Sequence, residues 1–322
     1  MRRTVPVALA LLALAAAFLL ARAWTNRSPA HAPTVTLVVP AGATLPAAAR
    51  QLHAARLVSS PRLFALAARA FGAARPIRAG EYAIPLGAGW AEILGLLQSG
   101  RTVQHKLTIP EGLPAVLVAG RLAAEPLLTG PTPAPPEGSV LPDTYAFQRG
   151  EPRTTVATRM EAAMTRTLAQ LWRARAPTTA VHTPAEAITL ASIVEKETAL
   201  PAERRLVAGV YSNRLRQGIK LDADPTLIYP ITQGRPLGRA IRQSDLHADT
   251  GYNTYLKPGL PKGPVANPGR ASIAAVLDPA PTQALYFVAT GHGGHVFART
   301  LAEQTANVAR YRALKIATAQ KP

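Results

Sequence analysis

The 322-residue sequence has no cysteine, few aromatic residues (5%) and few charged ones (17%). Without cysteine there is no disulfide, thiolate metal site, iron–sulfur cluster or cysteine nucleophile. Acidic residues are scarce: 18 Asp plus Glu stand against 36 Lys plus Arg, a net charge of +18. No heptad repeat, Gly-X-Y period or series of long apolar runs is present, which excludes a coiled coil, a collagen and a multi-span membrane protein. No HExxH pair, phosphate-binding loop, dinucleotide fingerprint or GxSxG elbow occurs. What is present is an apolar content of 48%, enough for a substantial core and too much for a wholly disordered chain. The length suggests two folded units, and 30 Pro with 23 Gly implies many turns.

Of the 36 basic residues, 29 are Arg, and they are scattered rather than blocked. Such a balance suits nucleic acid, anionic lipid headgroups or an acidic polymer. Zinc-finger spacing, an RNA-binding aromatic run and a Lys-rich tail are all missing, so no nucleic-acid partner is expected. Thr4 to Ala21 is uncharged and follows Arg2 and Arg3. At 1.5 Å per residue it reaches roughly 27 Å, close to a bilayer core. The expectation is one N-terminal transmembrane helix, with residues 1–23 as cytoplasmic tail and anchor and 24–34 as linker. A cleaved signal peptide ending at Ala21-Arg22-Ala23 is the rival. Retention would make the chain a single-pass inner-membrane protein with its larger part in the periplasm.

The rest reads as α+β. Strands are expected at Thr34–Val39 and Gly80–Ile84, with helices at Thr44–Ala55, Pro61–Phe71 and Trp90–Leu97, forming a small subdomain over 35–104. A larger mixed α+β domain follows over 105–316, with a Pro-rich loop at 126–138 and a tail at 317–322. Its strand Val103–Ile109 turns through Pro110-Glu111-Gly112 into a helix over Leu113–Ala124. In the helix Thr154–Ala174, Met160, Met164, Leu168 and Leu171 recur at core spacing. Thr183-Pro184-Ala185-Glu186 is a capping-box start for a helix through Thr198. Another helix runs from Pro201 to Gln217, with Gly218 after it. Turn-rich segments cover Asp222–Pro230 and Gly251–Gly269. Beyond them are expected a helix Ala271–Leu277, a strand Leu285–Ala289, a Gly/His loop at 291–295 and a helix Thr300–Ile316.

Chemistry concentrates at the end of the helix that Thr183 opens. With Ala187 at 0°, Glu195 falls at about 80° and Glu197 at about 280°, while Lys196 faces away. Both carboxylates flank the apolar stripe equally, so periodicity does not choose between them. Burial of either would raise its pKa and allow general acid chemistry. Asp222 and Asp224 lack a calcium-loop continuation, and His292 with His295 lacks a third ligand, so no metal is expected. Tyr252-Asn253-Thr254-Tyr255 offers aromatic faces with amide and hydroxyl groups, a mixture suited to sugars.

Several blocks together carry a resemblance. They are Thr108-Ile-Pro-Glu-Gly112, Leu141-Pro-Asp-Thr-Tyr145, Ala191-Ser-Ile-Val-Glu-Lys-Glu-Thr198 and Asn213-Arg-Leu215. Next come Asp224-Pro-Thr226, Tyr252-Asn-Thr-Tyr255, Gly259-Leu-Pro261, Gly263-Pro264, Asn267-Pro-Gly269, Gly294-His295 and Phe297. In this order the chain resembles the YceG-like family of membrane-anchored endolytic murein transglycosylases. The resemblance implies that residues 35–104 are a LysM-like, glycan-positioning subdomain and that 105–316 is the catalytic domain. It assigns the catalytic carboxylate to Glu195, with Asn213, Asp222, Asp224, Tyr252, Asn253 and Tyr255 as candidate substrate-binding residues. The sequence departs from the family pattern at Asp222, Pro230, Thr250-Gly251 and Glu303-Gln304-Thr305.

The implied reaction is non-hydrolytic cleavage of the MurNAc-β-1,4-GlcNAc bond in peptidoglycan strands, leaving 1,6-anhydro-MurNAc ends. No cofactor or metal is required by it. The implied partners are glycan strands, the membrane through the N-terminal helix, and peptidoglycan synthases nearby. The competing expectation is a membrane-anchored wall-binding scaffold without turnover.

Overall fold

The computed structural model describes residues 4–72 and 75–319; Arg2, Arg3 and residues 320–322 of the expected tail lie outside the described residues. The chain divides into two compact units. One runs to His105 and includes Ala146–Glu151; the other comprises Lys106–Tyr145 and the chain from Pro152.

The first helix, α1 (Thr4–Thr25), corrects the membrane expectation. Among the described residues no helix is long and apolar enough to cross a membrane. The end of α1 belongs instead to the folded unit: Ala23 and Trp24 pack on its core, and the Trp24 ring meets Phe71 edge-on at 5.8 Å. The transmembrane anchor, the membrane as a partner through it, and the single-pass inner-membrane placement with a periplasmic catalytic part are therefore withdrawn.

The remainder of the first unit is α+β. β1 (Thr34–Val39) pairs antiparallel with β2 (Gly80–Pro85), placing Leu37 opposite Tyr82. Between them lie α2 (Leu45–Ala54) and α3 (Pro61–Phe71), and α4 (Trp90–Ser99) follows. Thr44 and Ser60 cap α2 and α3 through side-chain oxygens, each with Pro in the first turn. Leu52, Phe64, Tyr82, Ile84, Ile93 and Leu97 form a fully buried core.

β3 (His105–Thr108) pairs with β4 (Thr144–Phe147) where the chain passes between the units, and the second unit goes on with α5 (Ala115–Ala124) and α6 (Arg153–Arg173). Then come α7 (Pro184–Glu197), α8 (Arg204–Arg216), α9 (Pro225–Thr232), α10 (Gln243–His247) and α11 (Arg270–Leu277). An antiparallel hairpin of β5 (Tyr286–Ala289) and β6 (His295–Ala298) precedes α12 (Leu301–Ala319). Gln304 donates to the Phe287 carbonyl at 3.0 Å, tying α12 to β5.

Helix α7 is the axis of this unit. Thr183 Oγ1 accepts from the Glu186 N–H at 3.1 Å, and the Glu186 carboxylate accepts from the His182 N–H at 2.6 Å. Ala187 to Val194 are all buried, because α6, α8, α9 and α11 pack around the helix. The amphipathic reading of this segment was too simple: Thr189 and Ser192 are as enclosed as Ile193. The segment Asp222–Pro230, expected as turns, contains helix, since Pro225 fits the first turn of α9. Helix α10, where Asp245 accepts from the Arg242 N–H, lies in a stretch for which the sequence set no expectation.

Candidate active site

The last turn of α7 carries three successive polar side chains into different surroundings. Lys196 is exposed. The Glu195 side chain is only 6% exposed, and its Oε2 accepts from the Gly269 N–H at 2.9 Å. Gly269 caps the N-terminus of α11, so the donor belongs to a helix end that favours negative charge. Arg204, the first residue of α8, brings Nη2 to 3.7 Å from Glu195 Oε1 and 3.7 Å from Glu111 Oε2. These are ionic contacts rather than hydrogen bonds. The Arg204 side chain is 10% exposed and Glu111 is about half exposed, so the guanidinium is shared between an enclosed and an open carboxylate.

The loop that brings Gly269 here is fastened from below. Ser192 Oγ accepts from the Val265 N–H at 3.0 Å and donates to the Thr189 carbonyl at 2.7 Å. Asn267, fully buried, donates from Nδ2 to the Leu113 carbonyl at 2.9 Å and accepts at Oδ1 from the Val140 N–H at 3.0 Å. Its own carbonyl accepts from the Gly112 N–H at 2.9 Å. Gly112 has φ +70°, and a Cβ there would lie 3.4 Å from Glu195 Cγ. The Pro-Glu-Gly turn thus lies against the Glu195 side chain.

Glu197 lies in a separate buried cluster. Burial and the charge of Asp224 push its carboxyl up to about 7, opposed by a hydrogen bond from Tyr211. Tyr255 Oη donates to Asp224 Oδ1 at 2.6 Å, and burial raises the Tyr255 and Tyr211 hydroxyls. A third carboxyl was not singled out in the sequence. Glu137, at the end of the Pro-rich loop, accepts the Ala115 N–H at 2.9 and 3.1 Å and Asn267 Nδ2 at 3.3 Å. Burial pushes it up to about 7 against hydrogen bonds from Ala115, Tyr229 and Gly138 and the charge of Lys196. The Tyr229 ring lies 4.9 Å from that of Tyr252, over which Lys262 Nζ sits at 4.8 Å.

The other candidates fall in different places. Asp222 has φ +48° and accepts from Arg214 Nη1 at 3.0 Å. Asn213 Nδ2 donates to the carbonyls of Thr282 and Ala284 at 2.8 and 3.0 Å. Asn253 Nδ2 donates to the Leu246 and Ala248 carbonyls at 2.9 and 3.0 Å, while its Oδ1 accepts from the Tyr255 N–H at 2.9 Å. The Asn253 amide is thus occupied with backbone, and that of Asn213 with two carbonyls and Arg216 Nη1, which donates to its Oδ1 at 2.8 Å. Asp224 and Tyr255 come together beside Glu197, and Tyr252 joins Tyr229 and Glu137. His295 Nδ1 bonds Glu203 Oε2 at 2.7 Å, and among the described residues no three acidic or His side chains form a metal site. Arg204 and Glu137 left no pattern to find. The first is one Arg among 29, and the second lies in a Pro-rich loop.

The sequence model of the YceG-like family matches residues 37–310. The chain belongs to the YceG-like family. An endolytic murein transglycosylase of Bacillus subtilis is 28% identical over 312 residues, covering 86% of this chain and 85% of that protein. An endolytic murein transglycosylase of Streptococcus pneumoniae is 32% identical over 182 residues, or 54% of this chain and 32% of the relative. A crystal structure of a yceG-like protein from Listeria monocytogenes is similar with a TM-score of 0.53 at 27% identity, covering 85% of this chain and 99% of that one. The Glu-Lys-Glu end of α7 lies within the matched residues, and its first Glu is the one held by Gly269 and Arg204.

Proposed function

We propose that the chain is an endolytic peptidoglycan lytic transglycosylase with Glu195 as its single acid and base. The observation that carries this reading is the setting of Glu195: an enclosed carboxyl with a helix-end N–H at 2.9 Å and a guanidinium at 3.7 Å. Protonated Glu195 gives its proton to the glycosidic oxygen as the MurNAc C1–O bond breaks. Gly269 and Arg204 stabilise the carboxylate that results. That carboxylate takes the proton of the MurNAc C6 hydroxyl, whose oxygen bonds to C1 and closes the 1,6-anhydro ring. The nucleophile belongs to the substrate, so ring closure avoids the entropy of capturing water and needs no second carboxyl. The first unit, with its two-stranded sheet and intervening helices, serves in this reading as the LysM-like glycan-positioning part. Asp224, Tyr252 and Tyr255 orient sugar groups, whereas the occupied amides of Asn213 and Asn253 hold the surrounding backbone.

Glu111 supports a second reading. Its half-exposed carboxylate shares Arg204 with Glu195 and could activate water, giving hydrolysis instead. Digestion of purified sacculi in ¹⁸O-labelled water separates the outcomes by product mass. Anhydro ends without label, absent with Glu195→Gln, are expected. Labelled reducing ends would establish hydrolysis, and sedimentation with sacculi without released product would leave a binding protein.

A further inference from the structure

His295, in the Gly/His stretch that the sequence marked as a poor metal site, has a different partner. Glu203 immediately precedes Arg204 at the start of α8, and its carboxylate collects donors from two other segments. Its Oε1 accepts from the His295 N–H at 2.8 Å and its Oε2 from His295 Nδ1 at 2.7 Å, across 92 residues of sequence. Thr198 Oγ1, at the end of α7, reaches the same Oε2 at 3.4 Å and accepts from the Leu200 N–H at 3.1 Å. A carboxylate only accepts, so the imidazole carries a proton on Nδ1. Burial opposes the charge on Glu203, yet the bonds from His295 hold its carboxyl below the ordinary value. The two side chains are 18% and 16% exposed, and the Phe287 ring meets the imidazole edge-to-face at 5.4 Å. Gly294 permits this approach: its φ is +84°, and a Cβ there would lie 2.6 Å from Glu203 Oε1.

Arg204 has no comparable hold on its own side chain. Its Nε is buried without a hydrogen-bond partner among the described residues. Its Nη2 lies 3.7 Å from Glu195 and from Glu111, beyond hydrogen-bond length. Where the guanidinium stands is therefore set by where α8 begins, and Glu203 is the side chain that ties that point to the end of α7 and to β6. We propose that His295 and Glu203 form a positioning pair that holds the first turn of α8 so that Arg204 stays beside Glu195. This rests on the lyase reading above, which gives Arg204 its task of stabilising the Glu195 carboxylate. The pair acts through Arg204 and takes no part in proton transfer, so its loss falls on kcat rather than on KM.

The test uses the full chain with His295→Leu, His295→Asn and Glu203→Ala, each alone and combined with Arg204→Met. Asn places an amide N–H where the imidazole holds Nδ1, and so restores the bond that Leu removes. On purified glycan strands, His295→Leu and Glu203→Ala should lower kcat about ten-fold with KM within about two-fold, and His295→Asn should recover most of the loss. In the Arg204→Met background the same substitutions should cost less than about two-fold, because the group they misplace is gone. A purely structural role would leave the costs additive. An undiminished cost in that background, or a His295→Asn protein as slow as His295→Leu, overturns the proposal. The second readout needs no substrate: the Arg204 Nε–H resonance in ¹⁵N-resolved NMR spectra, identified by its loss in Arg204→Met. It should shift and exchange faster with water in His295→Leu and Glu203→Ala and return in His295→Asn, and an unmoved resonance overturns the proposal. Absent turnover by the wild type would remove the lyase reading alone, since the resonance still decides what holds Arg204. Should His295→Leu misfold by circular dichroism, Glu203→Ala, which leaves the imidazole in place, decides by the same readouts.

Discussion

The Gly269 N–H donates to Glu195 Oε2 at 2.9 Å across 74 residues of sequence. One end of α11 thus supports the carboxylate at the end of α7, and Arg204 approaches the other oxygen from α8.

Arg204→Met should keep the long apolar stem and remove the charge. In the proposed reaction the carboxylate left after proton donation then loses one of its two stabilising partners. We expect kcat to fall about 10- to 100-fold, equivalent to about 1.4–2.7 kcal/mol, with KM little changed. Steady-state kinetics on glycan strands checks this, and an unchanged kcat would remove Arg204 from the mechanism.

Asn267→Ala should lower stability and activity together. It leaves the buried Val140 N–H without its partner, leaves the Leu113 carbonyl only the Asn267 backbone N–H at 3.3 Å, and frees Glu137 from one donor. The stranded Val140 N–H costs about 1–3 kcal/mol. Calorimetry should show a Tm lower by several degrees for a unit of this size. An Asn267→Ala protein melting with the wild type would show that the loop holds its place without this side chain.

Gly138→Ala should be far worse than Gly130→Ala. Both glycines have positive φ, +75° and +76°. A Cβ at Gly138 would lie 2.6 Å from Pro264 Cγ and 2.7 Å from Ile188 Cγ2, whereas at Gly130 nothing lies within 4 Å. Backbone strain of about 1–2 kcal/mol is common to both, and overpacking adds about 1–3 kcal/mol at Gly138 alone. Equal losses of Tm would deny the crowding.

Stability should fall as pH rises from about 5 to about 8 through Glu137 and Glu197. Both are raised to about 7 in the folded chain from an ordinary value of 4.5. Between those values the native state binds more protons than the unfolded one, so acidification favours folding. The effect is complete below the unfolded value and is lost as pH passes the folded one. Each unit of displacement is worth about 1.4 kcal/mol. Melting curves of Glu197→Gln should show a flatter dependence over this window, and a slope equal to the wild type would discount its burial.

Much of the scaffold was legible. Thr183, Pro184 and Glu186 marked the start of α7, Pro61 that of α3, and weak alternation marked β1, because caps and periods are local physics. Helix α9 was not, since Asp224-Pro225 reads equally as a turn, and its first turn is stabilised only where Thr226 and Thr254 meet in the interior. Hydropathy over Thr4–Ala21 suggested a membrane span, yet among the described residues no helix is long and apolar enough to cross a membrane, and the end of α1 packs into a folded core.

The sequence by itself picked out Glu195 and Glu197 as candidate acids, the starts of helices such as α3 and α7, and, through its ordered blocks, the family. It left Glu195 and Glu197 symmetrical about an apolar stripe. The resemblance picked out Glu195, but only the tertiary structure gave the two carboxyls their different surroundings: Gly269 and Arg204 around one, Tyr211 and Asp224 around the other. The reason is geometric. Periodicity describes a helix relative to its own axis, and α7 is enclosed from Ala187 to Val194, so what each carboxyl meets is set by chain segments distant in sequence.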